Sequence, residues 1–133
     1  MSAEPREVVR VMCEAIAAQE DATIVASLAP DAIWYGTRGG LDERSELHGP
    51  GEIVAYLHDV GEAWEELRIE VEDIRADGDT VVVYWRETGR NVHSELEVQN
   101  DITLVFQVRD GKVVQGRAYM DREEGLAAAG LSG

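Results

Sequence analysis

A chain of 133 residues can build one domain with a real hydrophobic core, and 44% apolar against 29% charged residues places it among soluble globular proteins. Its 27 acidic residues outnumber 12 basic ones, and a net charge of −15 argues against partners that are phosphate backbones or anionic membrane surfaces. The single cysteine, Cys13, allows no internal disulfide, and no apolar leader or membrane-length apolar run is present, so a cytoplasmic protein is expected.

Val8, Met12 and Ile16, with Val9 and Cys13 beside them, predict a helix over residues 6–19. Cys13 belongs to its apolar stripe and is expected to be a small buried hydrophobe. Asp21 can cap a second helix, Ala22–Leu28, which Pro30 stops. Ala32–Tyr35 is a short strand running into a polar loop, Gly36–Glu46, long enough to be a lid or a plain surface excursion. Gly49-Pro50-Gly51-Glu52 opens a third helix. Its buried stripe is Ile53, Leu57, Val60 and Trp64, flanked by Tyr56 and His58.

From Leu67 the period falls to two, and Asp73-Ile74 breaks the alternation, which predicts a bulge and a bend. After a turn at Ala76–Asp79 comes an apolar strand, Thr80–Thr88. Gly89-Arg90-Asn91 is expected to turn the chain into a long strand, His93–Arg109. There the even positions Leu96, Val98, Ile102, Leu104, Phe106 and Val108 form an apolar face. Asp110-Gly111-Lys112 makes a hairpin into Val113–Met120, and a short helix ends at Gly130. Strands joined by short turns run antiparallel. The order therefore predicts an α+β fold, with helices segregated to one face of a curved sheet and a cavity between them.

Asp121 stands where the last strand becomes the last helix. With Glu124 three residues on, it fits a helix cap; partly desolvated, it would serve as a pocket acid or base. A cap bond to the carboxylate lowers its pKa and desolvation raises it, so the two roles shift it in opposite directions. Arg117 and Tyr119 share its parity and could join it in a polar group. Alternatively, Gln115, Arg117 and Tyr119 face outward while Gly116, Ala118 and Met120 face the helices. His48, His58 and His93 are isolated, so no metal site is expected, and His58 is the one placed to shuttle a proton. No glycine-rich phosphate loop follows a strand.

The chain resembles the nuclear-transport-factor-2-like superfamily, with its cystatin-like cone, and most closely its SnoaL-like branch of polyketide cyclases and epoxide hydrolases. The resemblance rests on Leu28–Ala32 before an aromatic strand, on Gly49–Ile53 opening the third helix, and above all on Val105–Val114. The ending Tyr119-Met120-Asp121 with Ala127–Leu131 adds to it. The positions that hold an oxyanion or act as base in ketosteroid-isomerase-like members fall at Met12, Leu104 and Gly36, which cannot do that chemistry. The water-activating Asp–Arg–Asp group of epoxide-hydrolase-like members keeps Arg86 but has Thr88 where an aspartate is expected. Glu87 points to the opposite face from Arg86. The acid/base residue of SnoaL-like cyclases matches Asp121, with Arg117 where a tryptophan is often found.

The resemblance therefore implies a homodimer with a pocket for a small hydrophobic molecule and cofactor-free acid/base chemistry of cyclase, isomerase or hydrolase type. Asp121 would be the acid or base, with Tyr119 and Arg117 orienting. Trp34, Tyr56, Trp64, Trp85, Arg86, Leu104 and Phe106 would bind the ligand. The alternative is a non-catalytic binder of the same fold.

Overall fold

The computed structural model describes residues 4–40, 43–92 and 96–131. Its elements are α1 (Pro5–Ala18), α2 (Asp21–Ser27), β1 (Leu28–Arg38), β2 (Glu46–His48), α3 (Gly49–Glu62), β3 (Trp64–Asp77), β4 (Thr80–Asn91), β5 (Glu97–Arg109), β6 (Lys112–Tyr119) and α4 (Arg122–Ala129). The strands form one curved sheet in the order β2-β1-β6-β5-β4-β3. β3 to β6 are the antiparallel meander expected from the short turns. β1 joins that meander parallel to β6, and β2 folds back on β1.

Strand alternation divides the sheet into two buried faces. Val81, Val83 and Trp85 of β4 share the inner face with Leu104 and Phe106 of β5 and Ala118 of β6. They pack against Val9, Met12 and Cys13 of α1 and Ile53 of α3. Burial pushes the Cys13 thiol up to about 12, so it stays protonated at neutral pH. The intervening residues Val82, Tyr84, Val105 and Tyr119 form a second cluster with Leu126 of α4 on the outer face. The helices are thus split between the two faces rather than gathered on one. The reason lies in β4, whose run Val81–Trp85 is apolar on both sides and needs cover on both. Gly125 permits the close approach of α4, since a Cβ there would lie 2.7 Å from Thr103 Cγ2.

Other boundaries shift for local reasons. β1 is longer than expected because it runs through Pro30, which lacks an N–H and falls in the gap between the Leu28–Val113 and Ile33–Gln115 pairs. The expected loop is shortened by β2, and Gly36 N–H donates to Ser45 O at 2.9 Å; Leu41 and Asp42 lie outside the described residues. α3 ends at Glu62, so Trp64 leaves the helix stripe and opens β3 opposite Asn91. β4 continues through Gly89–Asn91 where a turn was expected. β5 begins at Glu97 with Leu96 66% exposed, and His93–Glu95 lie outside the described residues. The bulge falls where the alternation breaks, between the Val71–Trp85 and Asp73–Tyr84 pairs, and returns Ile74 to the inner face. Among the described residues no helix is long and apolar enough to cross a membrane.

Candidate functional site

At one end of the inner face the core opens into a cleft of about 570 Å³. Its floor is Trp34 of β1, Trp85 of β4, Ile102 and Leu104 of β5 and Ala118 of β6; its walls are Tyr56, Leu57 and Val60 of α3, with Trp64. Thr37, Asp59, Glu87, Asn91 and Asn100 supply the polar lining, and Met120 contributes from β6's end. A smaller opening of about 290 Å³ adjoins it and shares Leu57, Val60, Trp85 and Glu87. Its remaining lining includes Ile16, Ile24, Leu67 and Ile69, together with His58. His58 Nε2 and Asp21 Oδ2 are 2.7 Å apart, and that carboxylate raises the imidazole pKa.

Glu87 follows Trp85 by two residues and so shares its inner face. It pairs with Ile69 across β3 and with Asn100 across β5. It is partly buried, and loss of water raises its carboxyl pKa above the ordinary value; the Trp85 indole N–H offsets part of that rise. The same N–H is buried and makes no hydrogen bond of normal geometry. A carboxylate whose pKa is raised in this way on an apolar floor holds a proton more readily than a surface carboxylate does, which is what a general acid or base needs.

Five of the residues expected to bind a ligand, Trp34, Tyr56, Trp64, Trp85 and Leu104, come together in the cleft. Phe106 is fully buried one layer deeper, edge-to-face with Trp34 at 5.4 Å, and serves as core beneath the floor. Arg86 lies on the outer face, its Nε donating to Asp101 Oδ1 at 2.9 Å. The expected catalytic group lies away from the cleft. Asp121 is exposed and caps α4, its Oδ1 accepting from Glu123 N–H at 3.1 Å. Arg117 stacks over the Tyr35 ring at 4.4 Å, and Tyr119 is buried under α4. The cause is parity: Ala118 and Met120 line the cleft, which turns the odd positions of β6 outward. The sequence reading missed Glu87 and Asn100 as cleft residues. The signal was available in Val81-Val83-Trp85-Glu87, one charged residue continuing an apolar face.

A family model described as the SnoaL-like domain matches residues 9–116. The chain belongs to that family. Among solved structures, this SnoaL-like domain resembles an NTF2-like protein from Burkholderia thailandensis at 22% identity, with 98% of this chain and 99% of that chain covered and a TM-score of 0.81. It also resembles a protein assigned as a SnoaL-like polyketide cyclase from Jannaschia, at 20% identity over 100% and 99% of the two chains, with a TM-score of 0.75. An LEH-like epoxide hydrolase of M. tuberculosis aligns at 22% identity over 94% and 90%, with a TM-score of 0.68. No curated protein matches the chain. At these identities the likeness is one of fold, and the chemistry of the SnoaL-like domain has to be argued from its own cleft.

Proposed function

We propose that the domain takes a small, mainly apolar molecule into the aromatic cleft and that Glu87 exchanges a proton with it. The acid/base role expected of Asp121 thereby passes to Glu87, and Trp34, Tyr56, Trp64 and Trp85 supply the binding surface. The observation that carries this reading is a carboxylate with a raised pKa on the floor of a roomy, ring-lined cleft. The cyclase-like and hydrolase-like relatives support acid/base work on a small molecule without fixing the reaction. We also propose that two copies pair, as the resemblance implies.

A generic base-sensitive substrate tests the reading. In 5-nitrobenzisoxazole, removal of the ring C–H proton breaks the N–O bond and releases a coloured cyanonitrophenolate. The protein is expected to accelerate this elimination well beyond an equal concentration of acetate. Glu87→Gln is expected to remove the acceleration, with a pH profile that falls as Glu87 protonates, and Asp121→Asn to retain it. No acceleration, or equal acceleration by Glu87→Gln, overturns the base assignment. The binder reading then stands if a neutral apolar dye such as N-phenyl-1-naphthylamine still enters the cleft.

A further inference from the structure

The lining of the cleft also constrains the charge of what it holds, a step that rests on the small-molecule reading above. Four aromatic rings, Trp34, Tyr56, Trp64 and Trp85, share the cleft with two carboxylates, Glu87 and Asp59. Among the described residues, no lysine or arginine lines either the cleft or the adjoining opening. The one imidazole there, His58, is already joined to Asp21. Elsewhere several arginines are matched to surface carboxylates: Arg86 to Asp101, Arg90 to Glu66, Arg38 to Glu124. Glu87 has no such cationic partner among the described residues, although it is the carboxylate drawn furthest into apolar surroundings.

A carboxylate withdrawn from water without a counter-charge is costly, and the cost falls when a cation comes to it. The ring faces act in the same sense. Their π-density repels an anion and attracts a cation, indole most strongly. A chain carrying −15 also concentrates cations near its surface. An anionic ligand would instead meet two carboxylates and neither a lysine nor an arginine. We propose that the cleft is a site for small organic cations, an alkyl- or arylammonium whose nitrogen rests among the indole and phenol rings with Glu87 as counter-ion. A volume of about 570 Å³ exceeds what an ammonium head alone fills, so the cation carries an apolar tail.

All three tryptophans of the chain line this cleft, so intrinsic fluorescence reads the site directly. The test titrates the wild-type protein with three probes: benzyltrimethylammonium, its uncharged carbon isostere neopentylbenzene, and the anion phenylacetate. The ammonium is expected to bind about tenfold or more tighter than the isostere, the worth of a desolvated cation–π contact with its counter-ion. Phenylacetate is expected to bind most weakly. Glu87→Gln is expected to shrink the ammonium's advantage while leaving neopentylbenzene bound. Equal affinity for the ammonium and its isostere in the wild-type protein overturns the cation preference and leaves the small-molecule reading intact, whether or not the variant folds. An advantage undiminished in Glu87→Gln overturns the counter-ion assignment. If none of the three perturbs the tryptophans, the cation proposal and the small-molecule reading fall together.

Discussion

The proposed role of Glu87 runs against stability, because the burial that raises its pKa also costs the fold. Its folded pKa lies above the ordinary glutamate value because burial disfavours the charge. Below the unfolded value both states bind the proton and the group costs nothing. As pH climbs through the unfolded and then the folded pKa, the unfolded chain ionises first and the fold loses stability. Glu87→Gln is therefore expected to melt higher than wild type at pH 7, with a gap that closes as pH falls below about 4.5. Thermal melts of both proteins across that range check it, and a variant that melts lower at pH 7 contradicts it. The residue was legible in part: alternation placed it opposite Arg86. Its importance was not legible, because desolvation depends on Ile69, Trp85 and Asn100 arriving from three strands. Asp121 shows the converse. The cap and the pocket acid are written with the same residues, and only the turn of β6 separates them.

At the scale of elements, the outer-face packing of α4 depends on a missing side chain. Gly125→Ala places a Cβ against Thr103, at 2.7 Å from Cγ2 and 3.2 Å from Cβ, and β-branched Thr103 has little freedom to yield. Overpacking of this kind costs about 1–3 kcal/mol, against about 1 kcal/mol gained in helix propensity. A net loss of up to about 2 kcal/mol is expected in denaturant unfolding. Gly61→Ala, in α3 with no atom within 4 Å of the added Cβ, is expected to gain up to about 1 kcal/mol in the same experiment. The contrast isolates packing from propensity. The strands of the meander were legible from period and turns, because both are local. The parallel pairing of β1 with β6 was not, since its partners, such as Trp34 and Gly116, lie far apart in sequence. The doubled burial of Val81–Trp85 was the hint that a helix had to cover the outer face.

For the molecule as a whole, charge is the dominant long-range term. The exposed ion pairs, such as Arg75 with Asp73 and Arg86 with Asp101, contribute little to stability and weaken with salt. Self-repulsion from a net −15 also weakens with salt, and with so large an excess of acid it is expected to outweigh them. The melting temperature is expected to rise with added sodium chloride, and a fall in differential scanning fluorimetry contradicts this. Two copies repel one another for the same reason, so the proposed pairing is expected to strengthen with ionic strength in sedimentation velocity. The α+β class and the curved sheet were legible from element order; the cleft's position was not, because it is the space left between α3 and the sheet. Glu87 lines both that space and the smaller opening beside it. Under the proposed reading, a guest seated among the rings would leave the smaller opening as the carboxyl's route to water, so proton exchange would not have to wait for the guest to depart.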